Sequence, residues 1–253
     1  GEGGPCHKDE ALFKKPPPRD ECPICFLTLP PDGVMIQYQA CCGKVLCIGC
    51  IYAAFMADNR CLCPFCRTPQ NTSHEASIER YKERAEGNDA EAINTIGCLY
   101  SRGSMGLPQD HDMALELWHR AGELGQASAY GNIAAAYYNG EGVERDMKKT
   151  KYYRELAAMG GHAEARYRVG MLEIRAGKIS RAVKHWMISA GAGDDDSLKG
   201  IRVLYTNGHV TKDNFEKALR SHKEATDELR SDQREAAAAF ASSHEWNLRI
   251  GQS

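Results

Sequence analysis

The spacing of the cysteines constrains this chain more than any other feature of its sequence. Nine of the eleven cysteines lie between residues 22 and 66. Eight of these nine form four pairs: Cys22/Cys25, Cys41/Cys42, Cys47/Cys50 and Cys63/Cys66. Three pairs have two intervening residues, a spacing with which a tight turn directs both sulfurs at one metal ion. Because a structural zinc ion takes four sulfur or nitrogen ligands, eight thiolates in four pairs predict two tetrahedral Zn²⁺ sites.

The shortness of the cysteine-rich segment, residues 20–70, points to the same conclusion. Such a segment cannot bury enough apolar surface to fold alone, so metal binding must supply folding free energy, on the order of 10 kcal/mol per site. Residues such as Phe26, Leu29, Leu46 and Ile51 are expected to fill a small core between the two sites. A redox-active C-x-x-C pair is the alternative, but four pairs in one segment without a βαβ pattern favour metal binding.

The composition limits the classes of partner. The formal net charge is −2, which gives no electrostatic argument for binding to nucleic acid or to an anionic membrane surface. No apolar run reaches the roughly 18 residues that a membrane span requires. The first residues, GEGGPCHKDEALFKK, lack the apolar stretch of a signal peptide. We therefore expect a cytoplasmic or nuclear location, where cysteines bind metal more readily than they form disulfides.

The residues before the cysteine-rich segment are rich in Gly, Pro and charged side chains. Pro16, Pro17 and Pro18 favour an extended conformation and oppose a helix. We therefore expect residues 1–19 to form a disordered tail.

Residues 20–70 resemble a RING finger in the order of the cysteine pairs, in the Gly-Lys-x-x-Cys-x-x-Cys centre that begins at Gly43 and in the Cys-Pro-x-Cys-Arg ending. The resemblance implies a cross-brace, in which the first and third pairs hold one zinc ion and the second and fourth pairs hold the other. Most RING fingers have a histidine two residues after the third cysteine, where this chain has Lys44. The adjacent Cys41 and Cys42 instead resemble the all-cysteine variants of the family.

The adjacent cysteines place a demand on the backbone. Neighbouring side chains point apart in an extended strand, so the sulfurs of Cys41 and Cys42 reach one metal only if the chain kinks. Gly43 permits such a kink because glycine readily adopts left-handed conformations. Cys61 is the alternative ligand if one of the two sulfurs does not reach the metal.

The resemblance also implies a function, because RING fingers generally act as ubiquitin ligases. They bind a ubiquitin-charged conjugating enzyme and favour its reactive geometry without forming a covalent intermediate. Ile24 and Pro64 match the shallow apolar docking groove, and Arg67 matches the arginine that often contacts conjugating enzyme and ubiquitin together. The groove tryptophan of many active members is missing, and this region has Tyr52 and Phe55 instead. A non-catalytic zinc-binding adaptor is the alternative, since RING folds also serve as interaction modules.

After residue 70 the chain contains internal repeats. Alanine or serine recurs at intervals of 32 to 37 residues: Ala92, Ala129, Ala165 and Ser197. From each start, apolar residues follow at offsets that form one helical face, a small residue stands at offset five in the first three copies, and glycine or alanine follows at offset eleven. A second helix follows in the first three copies. Helix pairs of this length must stack on their neighbours to bury their apolar faces, which predicts an α-solenoid.

The repeats resemble Sel-one-like repeats, which are relatives of tetratricopeptide repeats. The second copy carries the clearest pattern, with Tyr137, the loop Gly140-x-Gly142-Val143 and Asp146. The resemblance implies that the repeats, residues 89–210, recruit a protein substrate or hold the chain in a larger assembly. Residues 71–88 are expected to form a connecting helix between the zinc module and the repeats. The aromatic residues of the repeats are predicted to pack in the core.

A long closing helix is expected over residues 211–253, with Thr211 as its N-cap. A thin apolar stripe recurs every 3.5 residues: Phe215, Leu219, His222, Thr226, Leu229, Gln233, Ala236 and Phe240. The stripe predicts a helix of about 30 residues and about 45 Å. We expect it to cap the last repeat, and a coiled-coil dimer seam over about four heptads is the alternative.

The sequence therefore predicts a mainly α protein. A small zinc-stabilised RING module precedes an α-solenoid of helix-pair repeats and a long C-terminal helix. The expected partners are a ubiquitin-conjugating enzyme at the module and a protein substrate or scaffold on the repeats.

Overall fold

The computed structural model describes residues 9–31, 35–58, 60–70 and 73–241. These residues form twelve α-helices and one two-stranded antiparallel sheet, as expected of a mainly α protein. In chain order the elements are α1 Asp9–Leu12, β1 Ile36–Gln39, β2 Lys44–Cys47, α2 Ile48–Asp58, α3 His74–Glu86, α4 Ala90–Arg102, α5 His111–Glu123, α6 Ala127–Asn139, α7 Met147–Met159, α8 Ala163–Arg175, α9 Ile179–Ala190, α10 Asp195–Thr206, α11 Lys212–Leu229 and α12 Asp232–Ala241.

The chain folds into two compact units, each built from two separate parts of the sequence. One unit contains Gly1–Pro18 and Leu115–Asp227, and the other contains Arg19–Ala114 and Glu228–Ser253. The cysteine-rich segment therefore shares its unit with α3, α4 and α12. This division differs from the predicted order of domains, in which residues 211–253 form a single closing element.

The cysteine-rich segment contains a hairpin and a short helix. Strands β1 and β2 pair from Ile36 opposite Cys47 to Gln39 opposite Lys44. Helix α2 follows β2 directly and begins at Ile48, two residues before Cys50. The small core includes Leu29 and Leu46 together with cysteine side chains. Phe26, which was expected in this core, is instead 72% exposed.

In the other unit, helices α6 to α10 continue the pattern of paired helices. Trp186 belongs to a buried core of this unit, in which it packs with Ala190, Ile201 and Leu204. Gly170 lies against the indole ring, where any Cβ atom would collide with it, and a Cβ atom at Gly200 would approach the ring to 2.8 Å. Gly170, the offset-five residue of the third copy, therefore permits the close approach of a tryptophan.

Helix ends in the repeats follow the glycine pattern of the sequence. Gly103 and Gly140, which follow α4 and α6, have φ angles of 63° and 80° in the left-handed region. In the third copy the turn comes one residue later, at Gly177, whose φ is 71°. A left-handed residue after a helix directs the following chain away from the helix axis, which allows the second helix of the pair to return.

The N-terminal residues correct one prediction. Residues 1–8 lie outside the described part of the chain, but Asp9–Leu12 form a short helix and Leu12 is completely buried against the repeats. The expectation of a disordered tail over residues 1–19 is therefore wrong for the described residues from Asp9 onward. The three prolines follow this helix and do not interrupt it, so their opposition to helix formation acts only after it has ended.

The C-terminal region is also different from the prediction. The long helix α11 is present and caps the last repeat, since Ala218 and Phe215 pack into the core around Trp186. However, it ends at Leu229, and a new helix begins at Asp232. Ser231 caps this second helix by accepting a hydrogen bond from the Arg234 N–H at 3.2 Å. The break interrupts the predicted stripe, so the described helices contain no unbroken seam of four heptads.

Candidate metal centres

The structure brings the eight paired cysteines together in two groups of four. In each group all four sulfurs lie within 4.8 Å of one another. The groups are Cys22, Cys25, Cys47 and Cys50, and Cys41, Cys42, Cys63 and Cys66. The first group joins the first and third pairs of the sequence, and the second group joins the second and fourth pairs. The order is therefore interleaved, as the resemblance to the cross-brace implied.

The distances between the sulfurs fit a tetrahedral metal site. Ligands about 2.3 Å from a tetrahedral zinc ion lie about 3.8 Å from each other. The Sγ atoms of Cys22 and Cys50 are 3.8 Å apart, and those of Cys42 and Cys63 are 3.9 Å apart. A disulfide would require about 2.05 Å, and the paired cysteines are free thiols. The two groups could each hold one metal ion, and the all-sulfur donor set favours zinc.

The two Cys-Pro-x-Cys segments fold into the same turn. The N–H of Phe26 donates to the Cys22 carbonyl at 2.8 Å, and the N–H of Arg67 donates to the Cys63 carbonyl at 2.9 Å. Phe26 and Arg67 have φ angles of 58° and 64°, in the left-handed region that side chains other than glycine seldom adopt. Such strain at two equivalent positions indicates that both turns are shaped to hold their cysteine pair.

The adjacent Cys41 and Cys42 lie in the turn between β1 and β2. Gly43 follows them with a φ angle of 67°, which is the kink that the sequence analysis required. A Cβ atom at this position would also lie 3.0 Å from side-chain atoms of both Arg84 and Asp89. The turn therefore needs glycine for its conformation and for the close approach of α3. Cys61, the alternative ligand, lies outside both groups of four.

Two arginines from outside the cysteine-rich segment hold the backbone of the metal sites. Arg84 of α3 donates to the carbonyls of Ala40 and Cys41, each at 3.1 Å. Arg234 of α12 is 3% exposed and donates to the Thr28 carbonyl at 2.9 Å. Neither contact could be recognised from local sequence patterns, because both join residues that are distant along the chain.

The thiols of the second group differ in how readily they ionise. Burial opposes ionisation of Cys66, but hydrogen bonds with the Thr68 side chain and backbone lower the pKa of Cys66 to about 6. Burial raises the pKa of Cys42 to about 11, and the charge of the neighbouring Cys63 acts in the same direction. A first thiolate in the group thus opposes the ionisation of others. A bound dication would remove this repulsion, because metal-bound cysteines are deprotonated.

The residues predicted to contact a conjugating enzyme lie at the tips of the two turns. Ile24 is 37% exposed, Pro64 is partly buried, and the Arg67 guanidinium is exposed and 3.4 Å from the Asp58 carboxylate. Phe65 is also exposed, at 44%, although it was not among the predicted contact residues. Its place could have been recognised, because Phe65 occupies in the second Cys-Pro-x-Cys turn the position that Ile24 occupies in the first.

A separate polar cleft lies on helices α6 to α8 of the other unit. Its volume is about 350 Å³, and its lining includes Asn132, Tyr138, Arg154 and Arg168. The Arg154 guanidinium lies over the Tyr138 ring, 4.9 Å from the ring centre. Burial and the neighbouring charge of Arg168 lower the pKa of Arg154. Glu164 also lines the cleft and pairs with Arg168 at 3.2 Å. Trp118 and Trp186 are packing residues, as predicted, being 6% and 4% exposed.

The fold defines a helical repeat protein, and sequence comparison identifies the repeats. A profile of the Sel1 repeat matches residues 90–126 and 127–162, which are the first two copies in the sequence analysis. A solved Sel1 repeat protein from Oxalobacter formigenes is 24% identical, with a TM-score of 0.55, and the match covers 71% of this chain and 70% of that chain. The solved structure supports the fold alone.

Two curated proteins share part of the sequence. The ERAD-associated E3 ubiquitin-protein ligase component HRD3B of Arabidopsis thaliana is 28% identical over 103 residues, covering 40% of this chain and 16% of that protein. Cytochrome c oxidase assembly factor 7 of Xenopus tropicalis is 29% identical over 77 residues, covering 30% of this chain and 33% of that protein. This chain therefore spans a third or less of these relatives. None of its described helices is long and apolar enough to cross a membrane.

Proposed function

We propose that this protein is an interaction scaffold, in which the repeats bind protein partners and a zinc-stabilised module provides a second docking surface. The Sel1 repeats carry this proposal, because stacked helix pairs present extended surfaces for proteins. The polar cleft beside Tyr138 is one such surface. Its lining has two arginines and one carboxylate, Glu164, and this net positive charge suits an acidic segment of a partner, since a guanidinium binds carboxylates through paired hydrogen bonds.

A comparison of partners in cells tests the scaffold function. Arg154→Glu reverses the charge of one residue in the Tyr138 cleft. We expect it to reduce the capture of specific partners at least tenfold, which corresponds to a loss of about 1.4 kcal/mol of binding free energy. The control is Lys199→Glu, which makes the same charge change at an exposed position on α10. Quantitative proximity labelling with both variants measures the effect. An identical set of partners for the wild type and both variants would exclude the cleft as the docking surface.

The finer proposal is that the module acts as a RING-type ubiquitin ligase that positions a ubiquitin-charged conjugating enzyme. Three features support it: the interleaved order of the cysteine groups, the exposed apolar tips Ile24 and Phe65, and the exposed Arg67. The name of one relative describes a component of a ubiquitin-protein ligase, which agrees with this proposal. The missing groove tryptophan favours the plain scaffold, and Tyr52 on α2 contacts Phe240 of α12, with ring centres 5.2 Å apart.

A ubiquitin-discharge assay separates the ligase from the plain scaffold. Arg67→Ala and Ile24→Ala are each expected to lower discharge from the conjugating enzyme at least tenfold, about 1.4 kcal/mol of lost transition-state stabilisation. Arg60→Ala is the matched control, because Arg60 is also exposed and contacts the same Asp58 carboxylate. If zinc-loaded wild-type protein is inactive with a full panel of conjugating enzymes, the scaffold remains and the ligase function is excluded.

A further inference from the structure

The N-terminal segment, residues 9–17, lies on helices α7 to α9 of its own unit. Leu12 is fully buried, and its carbonyl accepts a hydrogen bond from Arg166 at 2.9 Å. These two residues are 154 positions apart in the chain. Pro17 approaches Gly161 so closely that a Cβ atom there would lie 3.7 Å from the proline ring. The segment therefore contacts the repeats along its length, as a bound peptide would.

The surface under this segment is unusually polar for a buried surface. Arg166, Glu173 and His185 are each 2% exposed or less. Charged side chains are seldom fully buried unless they are paired. Glu173 is paired with Lys151 at 2.8 Å. A core that only stabilised the repeats would be expected to contain apolar residues here, so this charged floor indicates a recognition surface.

His185 has hydrogen-bonding capacity that the segment does not use. Neither of its ring nitrogens has a hydrogen-bond partner among the described residues. The ring faces the segment, because the Phe13 ring lies over it with 4.7 Å between centres. Burial lowers the pKa of His185 to about 3, and the charge of Arg166 acts in the same direction, so the ring is neutral. A buried ring without hydrogen-bond partners is unusual in a core that only stabilises a fold.

The contacts define what the groove recognises. Asp9 forms an ion pair with Arg181 at one end. Leu12 fills the apolar position, and Phe13 lies between cations, 5.3 Å from the Arg181 guanidinium and 5.2 Å from the Lys184 ammonium. The pattern is an acidic residue, two further residues, leucine and then an aromatic residue, followed by lysines and prolines.

We infer that the groove over α7, α8 and α9 is a peptide-binding site for partner segments of the form acidic-x-x-Leu-aromatic, and that residues 9–17 occupy it in cis. A four-residue helix is not stable alone in water, so its order depends on these contacts with the repeats. The same contacts are available to a partner segment of the same chemistry. Because residues 9–17 belong to the same chain as the groove, their effective concentration at the groove is in the millimolar range. A partner segment must compete with this effective concentration in order to bind.

The test uses a fluorescent peptide with the sequence of residues 9–18, DEALFKKPPP, and full-length protein. The variant Leu12→Asp places a charge in the apolar position of the cis segment and frees the groove. We expect this variant to bind the peptide at least tenfold more tightly than the wild type, by fluorescence anisotropy. A peptide with Leu12→Ala is expected to bind about 30-fold more weakly, because it loses a buried leucine side chain. A scrambled peptide is the control.

The outcomes separate the alternatives. A folded Leu12→Asp chain that binds no peptide, or binds it as weakly as the wild type, would overturn the inference. If this chain does not fold, Phe13→Ala takes its place, and peptide binding equal to the wild type would overturn the inference in the same way. Wild-type dimers that Leu12→Asp abolishes would identify the occupant as the segment of a second copy and would contradict a partner peptide.

This inference deepens the proposed scaffold function and rests on it. The peptide groove and the Tyr138 cleft have no lining residue in common. Failure of peptide binding would therefore leave the Arg154→Glu comparison unchanged, whereas failure of that comparison would leave the peptide experiment able to succeed.

Discussion

Removal of zinc with a chelator is expected to unfold residues 20–70 and to leave helices α6 to α10 folded. The small core around Leu46 consists largely of cysteine side chains, so few apolar contacts remain without metal. Structural zinc contributes on the order of 10–16 kcal/mol at neutral pH, which exceeds the total stability of an ordinary small domain. Hydrogen exchange on the intact chain, followed by mass spectrometry, measures the two regions separately.

Two matched cysteine variants test how many metal ions the protein binds. The wild type is expected to contain two zinc ions per chain by native mass spectrometry. Cys42→Ser removes one ligand of the second group and is expected to leave one zinc ion. Cys61→Ser makes the same chemical change outside both groups and is expected to leave two. If reduced protein keeps residues 20–70 protected from exchange after complete metal removal, the zinc assignment is wrong and the ligase proposal loses its basis.

Substitution of Trp186 is expected to have the largest effect on the repeats. Trp186→Ala should lower the free energy of unfolding by about 3–5 kcal/mol, because it leaves a large cavity in a core that cannot collapse fully. The ring is 4% exposed and packs directly against two glycines, Gly170 and Gly200. Its Nε1 also donates to the Tyr167 carbonyl at 3.1 Å, and the substitution removes this hydrogen bond.

The control for Trp186→Ala is Val203→Ala on α10, which is 58% exposed and should change the free energy of unfolding by less than about 0.5 kcal/mol. Urea unfolding of both variants, followed by far-ultraviolet circular dichroism, measures the difference. A loss below about 1 kcal/mol for Trp186→Ala would show that the tryptophan is not the centre of this core.

Local patterns predicted much of the metal centres and repeats. The C-x-x-C spacing depends on a tight turn within a few residues, so the pairing of Cys22 with Cys25 and of Cys63 with Cys66 could be read directly. The kink at Gly43 followed from the requirement that adjacent sulfurs share one site. The glycines that end α4 and α6 were also visible, because the left-handed conformation is a property of the residue itself.

Contacts between distant residues were not visible in the same way. Leu12 stands in a segment rich in prolines and charges, and only the groove beneath it explains its burial. Phe26 was placed in the core because it is apolar, but the turn that holds Cys22 and Cys25 directs it outward. The stripe after Thr211 has the spacing of a single helix, yet Ser231 begins a new one.

The sequence by itself determined which cysteines form pairs and where the repeats begin. Both features could be predicted because they depend on spacings of two to eleven residues along the chain. Only the tertiary structure decided how the first and last segments of the chain are used. Arg234 reaches the carbonyls of the first metal site, and Leu12 lies on the third repeat, because such contacts depend on the shape of surfaces that residues far along the chain create together.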